Sequence, residues 1–260
     1  MNEKEFEFLG ISKFHRAGYN GKGIKILSKE LVHKSYFPSI CFFNALGGKN
    51  KGHGDLVIDY LRQIAPEATL MAMKLRGSYA TQEEQYIRQN IPDIMTCSEF
   101  NGRNDVSNNK MELWHFLNEN NCLLCCAAGN ENKDKVMLLG RTPEWLTIGA
   151  CHYPLLRRVY YSNYGEDLDF MSLSNLRSTL DGQVKHQGTS FASPIFAGML
   201  ALVQEFFMKN AGKKLTNEQL ISFVKDNCID IEAKGKDLKS GYGLFVLPEP
   251  ESINIDKYIN

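Results

Sequence analysis

Thr189 to Phe207 reads TSFASPIFAGMLALVQEFF, a run that is apolar on nearly every face. Such a pattern fits a helix buried on all sides or a membrane span. The span is rejected because Ser193 and Pro194 fall in the first turn and Gln204-Glu205 arrive before about 20 apolar residues accumulate. Upstream, short apolar runs alternate with helix-patterned segments, as in a parallel sheet with crossover helices. The strands expected are Gly23 to Glu30, Ala68 to Lys74, Asp93 to Ser98, Cys122 to Ala128 and Leu146 to Cys151. The helices expected are His53 to Ile64, Thr81 to Asn90, Asn108 to Asn120 and, after the buried one, Thr216 to Asn227, capped by Thr216. An α/β fold follows. With no internal repeat and no long linker, residues 1–260 are read as a single domain.

The chain has 260 residues, 43% hydrophobic and 23% charged, enough for a sizeable core. Lys+Arg 30 balance Asp+Glu 30, so no global charge draws it to nucleic acid or a membrane, and neither is expected as a partner. The first residues, MNEKEFEFL, are acidic where an export signal is basic and then apolar. Seven cysteines, an odd number in mostly apolar settings such as CLLCCAAG, read as buried thiols. The Cys122/Cys125 pair has no second CxxC or His pair to complete a zinc site, so no metal site or cofactor is expected. Gly21-Lys22-Gly23 precedes a strand and so cannot cradle a phosphate in the manner of a nucleotide-binding loop.

Gly188-Thr-Ser-Phe-Ala-Ser-Pro194 places a small hydroxyl residue at the start of the buried helix. Free N–H groups and the helix dipole there favour developing negative charge, which suits a nucleophile; alone, the same residues would serve as an N-cap. The string resembles the serine motif of the subtilisin-like (subtilase) serine peptidases. Other segments follow that family's order: Lys51-Gly52-His53-Gly54 resembles its histidine motif, Ala65 to Leu70 the turn and strand after it, Ala127-Ala128-Gly129-Asn130 the oxyanion segment, and Tyr161-Ser162-Asn163-Tyr164-Gly165 its Ser-Asn-Tyr-Gly stretch. The resemblance covers roughly residues 9 to 247. It implies a three-layer fold, a mainly parallel sheet with helices on both faces, and a serine endopeptidase working through an acyl-enzyme. Ser190 would be the nucleophile, His53 the general base and Asn130 the oxyanion donor.

The family's acid is an aspartate at the end of the first core strand; here Ser28-Lys29-Glu30-Leu31 stands in its place. Glu30 is the positional match and the expected orienting acid, its extra methylene requiring a small backbone retreat. Asp55 and Asp59 are poorer choices, on other faces of the histidine's helix. Substrate is expected beside Ser98, Glu99 and Phe100, as an extended peptide adding a strand, with Gly129, Glu131 and Thr189 also lining the groove. The acids Glu99 and Glu131 suggest a preference for a basic residue before the scissile bond. The direct run from His53 to Ala65 lacks the loop that supplies tight calcium ligands in secreted relatives. About twenty residues before the first core strand leave no room for a folding prodomain, from which cytoplasmic residence is expected, with narrow specificity or an accessory inhibitor restraining activity. The rival reading is a pseudoprotease, a peptide-binding or regulatory module, motivated by the irregular acid segment.

Overall fold

The computed structural model describes residues 2–37, 40–41, 52–99, 106–180 and 186–259. Two short helices, α1 (Glu3–Phe8) and α2 (Ile11–Arg16), come first. The chain then lays down β1 (Lys25–Ser28), α3 (His53–Ile64), β2 (Thr69–Ala72), α4 (Ala80–Gln89), β3 (Ile94–Cys97), α5 (Asn108–Glu119) and β4 (Leu123–Ala127). It continues through β5 (Trp145–His152), β6 (Arg157–Arg158), β7 (Phe170–Leu173), α6 (Thr189–Ala211), α7 (Asn217–Asp226), β8 (Cys228–Ile229), β9 (Leu244–Phe245) and α8 (Asp256–Ile259). The described strands form one sheet in the order β2-β1-β3-β4-β5-β7-β9-β8, with β6 paired to β5. All pairings are parallel except β5–β6 and β8–β9.

Alternate residues of each strand enter different cores, as the two-residue period of a strand requires. Ile26, Ile94, Leu123 and Cys125 pack with α3 and α6 on one face. Leu27, Met95, Leu124 and Cys126 pack with Ile87 of α4 and Leu113, Trp114 and Leu117 of α5 on the other. The result is the expected three-layer α/β arrangement. Cys122 and Cys125 belong to opposite cores, so they cannot act as a dithiol pair. None of the seven cysteines is in a disulfide, and burial pushes the Cys122 and Cys126 thiols well above their ordinary range.

The central helix α6 is long and apolar enough to cross a membrane, but 94% of its most apolar stretch is buried inside the fold. Its polar residues are buried with partners. Glu205 accepts the amides of Asn20 and Gly21, both at 2.6 Å, and meets Lys209 at 2.6 Å. Gln204 exchanges two hydrogen bonds with the backbone of Leu215. The Gly21 amide is thus occupied by a carboxylate, which leaves the Gly21-Lys22-Gly23 turn unsuited to phosphate.

Strand ends differ from expectation by one or two residues, whereas α3 begins and ends where its apolar spacing places it. The helix runs unbroken from His53 to Ile64, with Ala65 at its C-cap. Helices α1 and α2, at 6 residues each, are too short to display a period. Strand β7, FMSL, is also too short to mark itself, and is recognised only by its burial beside β5.

Candidate active site

Parallel strands direct their C-terminal ends to one edge of a sheet, where ligand sites of open α/β folds collect. Lys74 lies two residues past β2, Glu30 two past β1, Ser98 and Glu99 directly past β3, and Asn130 three past β4. His53 opens α3, and Thr189 and Ser190 open α6.

Glu30 is 1% exposed. The chain turns back at once after β1, Glu30 N–H donating to the Ser28 carbonyl at 2.9 Å. The Glu30 Oε1 atom stands 3.2 Å from His53 Nδ1. The approach is off the axis of the ring N–H, so neither atom has a well-aligned hydrogen bond. Gly54 permits the contact: a Cβ there would lie 2.2 Å from the Leu31 carbonyl oxygen and 3.0 Å from the Glu30 Cβ. Only glycine at the second position of α3 lets the helix come this close.

Burial pushes the Glu30 carboxyl above its ordinary range, against the opposing pull of His53. Burial also disfavours the charged imidazole of His53, but the hydrogen-bonding and charge of Glu30, with the charge of Glu99, outweigh it and hold His53 above its usual value. The ring rests against Phe191, centroids 5.5 Å apart, and Tyr60 braces Phe191 from another side at 5.4 Å. Glu99 is ion-paired with the buried Lys74, and Arg76 Nη2 lies 3.9 Å from the same carboxylate oxygen. Burial raises the Glu99 carboxyl, but Lys74 more than offsets this and holds it below the ordinary range.

Ser190 and Ser98 are doubly joined. Ser190 Oγ donates to the Ser98 carbonyl at 3.1 Å, and Ser98 Oγ donates to the Ser190 carbonyl at 2.7 Å. The Ser190 hydroxyl proton is thus committed to the Ser98 carbonyl and not to an imidazole. Asn130 is held by Thr189, whose N–H and Oγ1 donate to Asn130 Oδ1 at 2.9 and 3.0 Å. The Thr189 hydroxyl in turn accepts from Gly129 N–H at 3.1 Å. With its amide oxygen committed, Asn130 presents Nδ2 as a donor. A Cβ built at Gly188 would lie 3.7 Å from Asn130 Nδ2, 3.8 Å from Asn130 Oδ1 and 3.8 Å from Ser190 N, so the Asn130 amide and the Ser190 N–H border the space that glycine leaves.

Three substrate-facing expectations change. Thr189 is fully buried and positions Asn130 instead of lining a groove. The Glu131 carboxylate accepts from Asn163 Nδ2 at 2.7 Å and from Asn130 N–H, so it is folded back on its own loop. The charge of Glu99 is taken by Lys74, which removes the basis for a basic preference. Phe100 and Lys51 lie outside the described residues. Between the ends of β3 and β4 is a narrow cleft lined by Cys97, Ser98, Glu99, Cys126, Met137 and Leu139.

The sequence pattern of the Subtilase family, Peptidase S8, matches residues 44–243. The chain belongs to the subtilase family. It is 26% identical over 209 residues to the minor extracellular protease Epr of Bacillus subtilis, covering 76% of this chain but only 30% of that protein. It is 24% identical over 277 residues to the major intracellular serine protease of the same organism, covering 91% of this chain and 85% of the relative. In three dimensions it is similar to the crystal structure of a lanthipeptide protease, with a TM-score of 0.75 at 16% identity, covering 94% of this chain and 92% of that one.

This subtilase carries supporting residues that its motifs alone do not reveal. Asn163, inside the Ser-Asn-Tyr-Gly stretch, accepts the amides of Glu131 and Lys133, both at 3.0 Å, and donates to the Ala128 carbonyl at 3.2 Å. It thereby shapes the loop bearing Asn130. Asp55 is fully buried and accepts from His33 N–H at 2.7 Å and Gly52 N–H at 2.7 Å, and contacts His33 Nδ1 at 2.6 Å. One carboxylate thus ties the segment after Glu30 to the start of the His53 helix. Asp55→Ala is expected to cost about 3–5 kcal/mol, the usual penalty for breaking a buried charged network. A urea midpoint unchanged from the parent would show that the clamp contributes nothing. Lys74 had no sequence signal, because nothing in ATLMAMK indicates what its last residue meets.

Proposed function

We propose that this subtilase is a serine endopeptidase that hydrolyses peptide bonds through an acyl-enzyme. Ser190 attacks the carbonyl carbon, His53 takes its proton and later returns it to the leaving amine, and Glu30 fixes the imidazole tautomer. Asn130 Nδ2 and Ser190 N–H hold the oxyanion. The observation that carries this reading is the 3.2 Å contact between a buried Glu30 and His53 Nδ1, at the sheet edge where Ser190 and Asn130 also stand. A pseudoprotease would have no need to bury a glutamate against that ring. Residues 1–260 are proposed as one catalytic unit, acting on extended peptides. The similarity to an intracellular serine protease supports residence inside the cell, and the likeness to a lanthipeptide protease supports a peptide substrate.

The deciding experiment is labelling with a fluorophosphonate probe, which reports an activated serine. The wild type is expected to be labelled and Ser190→Ala to be blank. A folded wild type that stays unlabelled would overturn the peptidase reading.

Two further outcomes follow from the site. Because His53 must be neutral to accept a proton and is held above its ordinary value of about 6.5, kcat/KM should fall on the acid side with a midpoint above that value. The charge of Glu99 contributes to the shift, so Glu99→Gln should move the midpoint down; a midpoint that stays put would remove Glu99 from the account. The same shift makes His53 favour folding fully below pH about 6.5, a contribution lost as pH rises through the folded-state value.

A further inference from the structure

We propose that Arg76 is a specificity residue of the peptide groove and selects substrates with an aspartate or glutamate within about three residues of the scissile bond. The proposal rests on the peptidase reading above and names the substrate class that reading leaves open. At the mouth of the site one carboxylate meets two cations. Glu99 stands directly past β3 beside Ser98, with a carboxylate oxygen within 4.8 Å of a His53 ring nitrogen. Its charge is taken by the buried Lys74. Arg76 is the surplus cation. Its Nη2 lies 3.9 Å from Glu99 Oε2, too far for a hydrogen bond; its side chain is 45% exposed and makes no hydrogen bond among the described residues.

The backbone that delivers Arg76 is fixed from beneath. Leu75 is buried with φ of 57°, a left-handed conformation that its side chain disfavours. Glu83 of α4, itself buried, accepts the Leu75 N–H at 2.7 Å and also hydrogen-bonds the backbone of Lys74, so a carboxylate in the core holds the turn. Lys74 and Arg76, on either side of Leu75, both reach toward the same Glu99 oxygen. A cation placed in advance in this way loses less freedom when a ligand meets it.

The chemistry of the ligand follows. A guanidinium stays charged at any working pH and offers N–H donors in a flat fork that fits a carboxylate by two parallel bonds. Lys74, Arg76 and Glu99 together carry one positive charge. The other acid of the site, Glu30, is buried against His53 and shielded from a side chain at the rim. A peptide added as a strand beside Ser98 advances about 3.3 Å per residue, so a side chain one to three residues from the reacting carbonyl spans from His53 past Glu99 to Arg76. Glutamine brings no charge to that place, and lysine brings a like one. The preference is thus the reverse of the basic one that the acids in the sequence suggest.

The test uses full-length protein and a quenched-fluorescence peptide library in which each of the three positions on either side of the scissile bond is glutamate, glutamine or lysine. At one position glutamate should exceed glutamine in kcat/KM by about tenfold, chiefly through KM, with lysine lowest. Arg76→Gln should bring the glutamate-to-glutamine ratio toward one, and Arg76→Glu should put lysine ahead of glutamate. Each ratio is read within one protein, so a change in folding or turnover common to all peptides cancels. The same peptides, fluorophore-labelled, are then titrated into Ser190→Ala protein and into its Arg76→Gln derivative. Cleavage with no preference for glutamate, or with a preference that survives Arg76→Gln, would overturn the role of Arg76 and leave the peptidase standing. Arg76-dependent binding of glutamate peptides in a protein whose wild type cleaves none would leave the acidic subsite standing and remove the peptidase reading.

Discussion

Ser190→Ala is expected to lower kcat by about six orders of magnitude, and Glu30→Gln by about four, with the fold of both intact. The difference in size reflects the difference in role. Without Ser190 Oγ no acyl-enzyme forms, and what remains is whatever the oxyanion donors and substrate binding supply. Without the Glu30 charge the nucleophile and base are still present, but glutamine can offer its amide N–H to His53 Nδ1 and so favour the tautomer that carries its proton on the wrong nitrogen. Stability should move the other way. Burial raises the Glu30 carboxyl above its ordinary range, so at neutral pH its ionised form opposes folding, and the neutral amide should unfold at an equal or higher urea concentration. Measuring kcat/KM beside the urea midpoint separates the two effects. Turnover of Glu30→Gln within tenfold of the wild type would show that another group orients His53.

The second large effect is expected at the oxyanion donors. Asn130→Ala should reduce kcat by about two to three orders of magnitude with little change in KM, because the donor acts on charge that develops only in the transition state. Gly188→Ala should act in the same direction without removing any donor. Its methyl would sit 3.7 Å from Asn130 Nδ2 and 3.8 Å from Ser190 N, in the space an oxyanion needs, and its φ of +144° is one that residues other than glycine rarely adopt. A Gly188→Ala protein with wild-type kcat would show that the oxyanion is held elsewhere.

Much of this was legible in the sequence. The alternation of apolar runs and helical periods gave the layers, because burial on both faces of a parallel sheet leaves continuous apolar strands. Ser190, His53 and Asn130 are candidates because each belongs to a contiguous motif, and Glu30 because of its count along the first strand; the structure gathers all four at one edge of the sheet. The supporting contacts were not readable. Lys74 and Glu99 are 25 positions apart, and Asp55 and His33 are 22 apart, so their pairing depends on strand order and not on local spacing. Thr189 was misread as a groove residue for a related reason: its position beside the nucleophile is visible, but the inward turn of its hydroxyl toward Gly129 is a property of packing.

The buried end of the central helix has a consequence for how the site is tuned. Ser190 and Glu205 are fifteen residues apart on α6, about 22 Å at 1.5 Å per residue. The far end is pinned through Glu205 to the Asn20–Gly21 turn and through Gln204 to Leu215. A rigid rod fastened at its rear transmits small displacements to its tip. The position of Ser190 at the tip of α6 is therefore tied, through one continuous helix, to contacts on the opposite side of the molecule.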